Sequence, residues 1–158
     1  MKLKDVQFYG RTAADVVQMF GLSADLQDFQ GRRVLDCPGG PSSFTATLAA
    51  AGIDAVACDP LYALSNAQLR DKHASSQTLL RRLRKTSKPE DWLDQNHLDQ
   101  QSAFDIFLAD RDACPQRYLA AALPSLPFPT DHFDTVLSGH LLFSYAPVEA
   151  GGLMASVG

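Results

Sequence analysis

Apolar and polar positions divide the chain into a helical start, two short apolar runs around a glycine-rich turn, a long polar stretch, and two further apolar runs. Thr12 precedes Ala13-Ala14-Asp15, which places its hydroxyl to cap a helix with Asp15 as capping-box partner. Val16, Val17, Met19 and Phe20 follow, and Gly21 stops the helix. Ser23 is placed to cap a second short helix through Phe29. Arg32-Arg33-Val34-Leu35-Asp36-Cys37, after Gly31, reads as a buried strand. Pro38-Gly39-Gly40-Pro41 can continue neither a strand nor a regular helix and predicts a tight loop. Ser42 or Ser43 then caps a helix from Phe44 to Ala51, closed by Gly52. Ile53-Asp54-Ala55-Val56-Ala57-Cys58 reads as a second strand, ending at Asp59-Pro60. Strand, loop, helix and strand within about 30 residues predict a βαβ unit with a parallel sheet and a right-handed crossover.

From residue 62 to about 117 the chain is polar and helical by composition. It carries the basic run Arg81-Arg82-Leu83-Arg84-Lys85, a break at Ser87-Lys88-Pro89, then Trp92 and a Gln/Asp-rich stretch. Leu79, Leu80 and Leu83 share one helical face, as do Phe104, Phe107 and Leu108. This is more chain than a crossover needs, so it reads as a helical insertion. Tyr118 to Leu123 predicts a third strand, Leu126-Pro127-Phe128-Pro129 a stiffened loop, and Phe133 to Ser138 a fourth strand ending at Gly139-His140. Leu141 to Tyr145 reads as the start of a helix, and no pattern follows Pro147. The predicted organisation is N-terminal helices at 1–30, an α/β body at 31–146 with its insertion at 62–117, and an irregular tail at 147–158.

Composition narrows the class. The chain has 158 residues, 46% of them hydrophobic and 20% charged, enough apolar content for one domain with a real core. No run approaches the roughly 18 apolar residues of a membrane-spanning helix, so no membrane partner is expected. No apolar run of signal-peptide length follows the basic Met1-Lys2-Leu3-Lys4 start. Cys37, Cys58 and Cys114 are odd in number and widely spaced, which suits reduced thiols and a cytoplasmic location. A net charge of -4 argues against a nucleic-acid partner. The 81–85 run then reads as a solvated helix face. His73, His97, His132 and His140 lack zinc-ligand spacing, so no metal site is expected.

Candidate chemistry gathers at the carboxyl ends of the predicted strands, where open parallel sheets bind ligands. Asp36, the 38–41 loop, Asp59, the 126–128 loop and Ser138 to His140 all fall there. Gly39-Gly40 allows close backbone approach to a ligand. A carboxylate at Asp59, on the end of the second strand, can accept both hydroxyls of a ribose. The loop lacks G-x-G-x-x-G, which counts against a dehydrogenase, and no Gly-Lys-Ser or Gly-Lys-Thr of a phosphate loop occurs. These features suit an adenosine-bearing ligand without a polyphosphate.

Val34-Leu35-Asp36-Cys37-Pro38-Gly39-Gly40-Pro41-Ser42-Ser43-Phe44 resembles the first motif of class I S-adenosylmethionine-dependent methyltransferases. Asp59 is similar to the family's ribose-holding acid on the second strand. Leu126-Pro127-Phe128-Pro129 with Phe133 to His140 resembles its L-P-F loop and fourth strand. The resemblance covers about 31–61 and 118–145 and implies a Rossmann-like α/β fold. It implies S-adenosyl-L-methionine as cofactor. The residues expected around it are Asp36, Cys37, Pro38, Gly39 and Gly40 near the methionine portion, Asp59 and Pro60 at the ribose, Leu126 and Pro127 beside the adenine, and Ser138. Tyr9 and Arg11 are candidates to lie over the cofactor's carboxylate, as N-terminal residues sometimes do in the family. The catalytic group and the methyl acceptor are not legible; a small-molecule acceptor is favoured.

Pro38 and Ser42 stand where the family has glycines, and Ala121-Ala122-Leu123-Pro124-Ser125 holds no acid for the adenine amine. These departures motivate an alternative, a non-catalytic module whose insertion binds a partner. The resemblance implies a seven-stranded sheet, of which four strands are placed here. The expectation is therefore an N-terminal part of such a protein, shortened by truncation or a frame shift, with weak activity or none. Its fourth strand is then expected to be an exposed edge prone to self-association.

Overall fold

The computed structural model describes Phe8 and residues 10–139. The candidates Tyr9 and His140, the start of a helix at 141–145 and the tail 147–158 lie outside the described residues. Helix α1 (Ala13–Phe20) begins on the expected capping box: the Thr12 side chain accepts from the Asp15 amide, and Asp15 accepts from the Thr12 amide. Gly21 ends it with φ +63°, a left-handed conformation that glycine adopts without strain. The second helix expected from Ser23 is only a 3-10 turn at Gln27–Phe29. The Ser23 backbone amide donates to the Asp28 carboxylate there, and Leu26 turns the chain at φ +60°.

Strands β1 (Arg33–Asp36), β2 (Asp54–Cys58), β3 (Tyr118–Leu119) and β4 (Thr135–Leu137) form one parallel sheet in the order β3-β2-β1-β4. Helix α2 (Phe44–Ala50) joins β1 to β2, completing the βαβ unit. The fold is α/β and Rossmann-like. The third strand is shorter than its apolar run predicts, because the chain folds back in an antiparallel bridge between Ala122 and Ser125. The insertion is a hairpin of two long helices, α3 (Asn66–Arg84) and α4 (Glu90–Ala113), breaking at the predicted Ser87-Lys88-Pro89. Ser65 and Gln68 form a second reciprocal capping box at the start of α3.

Alternate residues along a strand face opposite sides of the sheet, and the core divides accordingly. Val34 and Ala55 pack with Val16, Phe29, Phe44 and Leu48 from the N-terminal elements. Ala57, on the same face, packs with Phe104, Phe107 and Leu108 of α4, and with Phe8, Tyr62 and Tyr118. The alternate residues Leu35, Cys37 and Cys58 meet Leu119, Leu126, Phe128 and Phe133. Among the described residues β4 pairs only with β1, and Val136 on it is 58% exposed. No helix among them is long and apolar enough to cross a membrane.

Candidate functional site

The strand order reverses beside β1: the chain runs outward through β2 and β3, then returns to place β4 on the other side of β1. Such a switch point opens a crevice at the carboxyl ends of the strands. Asp36 ends β1 there and pairs in register with Leu137, directly before Ser138. Asp59 follows the end of β2. The structure thus brings Asp36, Cys37, Pro38, Gly39, Gly40, Asp59 and Ser138 to one edge.

The glycine loop is tied down largely by its own protein. The Gly39 amide donates to the Cys58 carbonyl at 2.9 Å, and the Gly40 amide to the Asp59 carboxylate at 3.2 Å. A Cβ on Gly39 would lie 2.6 Å from the Tyr62 hydroxyl and 2.8 Å from the Ala57 Cβ, so packing alone requires glycine there. Gly40 differs: its φ is +56°, and a Cβ there would meet nothing within 4 Å. Gly39 is a packing glycine, and Gly40 is the one that faces open space. The Cys37–Pro38 peptide is cis.

Asp59 is 6% exposed and uses both oxygens internally. Oδ1 accepts from the Leu61 amide at 2.9 Å, capping the 3-10 turn Pro60–Ala63, and Oδ2 accepts from Gly40. Burial raises its pKa, and these two amides with the Lys72 charge oppose the rise. Each oxygen keeps a further lone pair for an outside hydroxyl. Pro60 is exposed as the first residue of that turn.

Asp36 is pushed up to about 7, first by burial; the Arg11 charge and the Thr45 side chain oppose the rise, and the nearby Asp59 charge adds to it. Arg11 reaches this edge because the loop serines hold its backbone. The Ser43 amide and the Ser42 hydroxyl both donate to the Arg11 carbonyl, at 3.1 Å each, and the Ala13 amide donates to Ser43 Oγ at 2.9 Å. Ser43 is the N-cap of α2 without a side-chain cap bond, because its hydroxyl serves α1 instead. A Cβ on Gly139 would lie 3.1 Å from an Arg11 guanidinium nitrogen, so Arg11 spans the ends of β1 and β4. Among the described residues, the buried Ser138 Oγ has no hydrogen-bond partner.

Burial pushes the Cys37 and Cys58 thiols up to about 11 and about 12, so both remain protonated in an apolar cluster. Leu126 packs against that cluster on the far face of the sheet, while Pro127 is exposed. Tyr62, which sequence reasoning passed over inside the insertion, donates its hydroxyl to the Gly40 carbonyl at 2.6 Å. Its signal was an aromatic residue three positions after Asp59. Thr45 was likewise missed, one turn after the loop.

The hairpin stands beside this edge. Arg111 donates to the Tyr62 and Leu64 carbonyls at 2.9 and 3.0 Å, the Phe8 amide donates to Ser76 Oγ at 3.0 Å, and a Cβ on Gly10 would run into the Gln100 carbonyl. Phe8, Gly10 and Arg11 are therefore held between the hairpin and the glycine loop. His73 on α3 is buried, stacks on Phe104 at 4.1 Å, and is lowered to about 4 chiefly by burial, which leaves it neutral.

No family model and no solved structure matches the chain. The chain is similar to an uncharacterized protein of Methanocaldococcus jannaschii, 27% identical over 152 residues that span 92% of this chain and 67% of that protein.

Proposed function

We propose that the protein binds S-adenosylmethionine at the carboxyl edge of its sheet and belongs to the class I methyltransferases, with an unidentified and preferably small acceptor. The observation that carries this reading is the switch point between β1 and β4, with Asp36 on one side, the Ser138 hydroxyl, without a partner among the described residues, on the other and Gly40 open beside them. The residues present fit the cofactor. Asp59 has lone pairs left for ribose hydroxyls, Gly40 leaves room for close approach, and Arg11 is placed for the amino-acid carboxylate. When bound, the cofactor supplies a methyl group activated by its sulfonium charge. The chain's part is to orient it: Asp36, half-protonated near neutrality, ionises more readily when a cationic group arrives beside it.

Isothermal titration of the full chain with S-adenosylhomocysteine tests this. Binding is expected, and Asp59→Ala should weaken it about tenfold or more, because two charge-assisted hydrogen bonds are lost. No uptake by the wild-type chain would remove the cofactor reading.

A second reading, a non-catalytic scaffold whose hairpin binds a partner, draws on one observation. The amides of Gly39 and Gly40 are already satisfied within the protein. Partner capture that depends on residues 81–92 and ignores Asp36 and Asp59 would favour it.

A further inference from the structure

The Gly40 peptides are clamped from both sides. Asp59 Oδ2 accepts from the Gly40 amide, and the Tyr62 hydroxyl donates to the Gly40 carbonyl. Tyr62 is in turn placed by the hairpin. Its ring stacks on Phe107 of α4 at 5.4 Å with planes 27° apart, and its edge meets Tyr118 at 5.6 Å. Its carbonyl accepts from Arg111 of the same helix. Phe107 packs further on Phe104 and Phe8. A continuous set of aromatic and hydrogen-bond contacts therefore runs from the C-terminal half of α4 to the one glycine of the loop with open space at its Cβ position.

We propose that Tyr62 is a positioning residue through which the α3–α4 hairpin sets the Gly40 backbone, and with it the affinity of the site for its nucleoside ligand. The inference deepens the cofactor reading and rests on it for the identity of the ligand. Gly40 sits at φ +56°, a conformation for which glycine has many nearby alternatives. Two hydrogen bonds on opposite sides of one residue narrow that choice. The phenol also stays protonated, since burial holds its pKa well above the ordinary value, so it serves Gly40 as a constant donor. The insertion is thereby more than decoration on the sheet: its inner face ends in the hydroxyl that holds the loop.

Tyr62→Phe keeps the ring between Phe107 and Tyr118 and deletes only the hydroxyl. Titrated with S-adenosylhomocysteine, this variant of the full chain should bind about fivefold or more weakly than wild type, because the loop must be reordered on binding. Hydrogen exchange should quicken at the amides of Gly39, Gly40, Ser42 and Ser43 and stay unchanged along 90–113. Wild-type affinity together with wild-type loop exchange would overturn the proposal. Uniformly faster exchange over the whole chain would overturn it as well, since that is what a merely structural tyrosine gives. If the wild-type chain takes up no ligand, the cofactor reading falls, and the exchange pattern alone decides whether Tyr62 positions the loop. Phe107→Leu, which lies in the hairpin, should reproduce the local quickening at 39–43. An unchanged loop in that variant would remove the hairpin from the proposal.

Discussion

On the distal half of the hairpin, charged groups are exposed and answered locally. Arg81 reaches Glu90 and Asp94, Arg84 donates to Asn96 at 2.9 Å, and both Arg84 and Lys88 lie over the Trp92 ring. At the carboxyl edge of the sheet, burial raises the pKa of two carboxylates one strand apart, one of them to about 7, and a neighbouring serine hydroxyl has no partner among the described residues. The distal half of the hairpin obeys the ordinary rules of a stable helix pair. The sheet edge breaks several at once, which is how a site built to receive something else behaves. Within the basic run at 81–85, which the sequence reads as a solvated helix face, Arg81 meets acidic neighbours and Arg84 meets Asn96 and the Trp92 ring.

Substitutions can break this contrast from either side. The largest effect is expected at Gly39. Gly39→Ala forces a methyl against the Tyr62 hydroxyl and Ala57 at once, and should cost about 3 kcal/mol in urea denaturation. A loss below about 1 kcal/mol would show that the loop yields and that the edge is less tightly built than its distances indicate.

The next effect should carry the opposite sign. Asp36 binds its proton more tightly folded than unfolded, so between about pH 4 and about pH 7 the native state holds more protons. Its contribution to stability is therefore present at low pH and lost as pH rises through about 7. Asp36→Asn should flatten that slope and raise stability at pH 7.5 by about 1–3 kcal/mol, while weakening ligand binding. A variant less stable at pH 7.5 than wild type would mean that the carboxylate is supported in place, contrary to the contrast drawn here.

The smallest effect belongs to the hairpin. Lys88→Ala removes one cation from the Trp92 face and should cost about 0.5 kcal/mol in thermal unfolding, with no change at the site. Any effect on ligand affinity would extend the site's influence to the hairpin tip.

The parts of the fold set by local chemistry were legible in the sequence. The Thr12 capping box, the apolar runs of β1 and β2, and the break at Ser87-Lys88-Pro89 depend on neighbours within a turn or two. The strands after the hairpin were less so. Apolar residues from Tyr118 to Leu123 suggest a full strand, yet only Tyr118 and Leu119 pair with β2 before the chain bends back to Ser125. Ser23 misled for a related reason: Leu26 in the left-handed region prevents a regular helix, and no local pattern announced it. At the site, strand ends and glycines located the edge, because both follow from chain direction. The division of labour between Gly39 and Gly40 was invisible, since it depends on a tyrosine held by a helix more than forty residues away, Phe107 against Tyr62.

The chain holds one tryptophan, and the fold puts it at the hairpin tip, 37% exposed. Its emission will therefore follow the helix pair. The tyrosines at 62 and 118 are wedged between the hairpin base and the sheet, and their absorbance will follow that junction instead. With Tyr9 and Tyr145, which absorb in the same band, changed to phenylalanine, one sample titrated with denaturant and followed by tryptophan emission and by tyrosine absorbance reads the two regions separately.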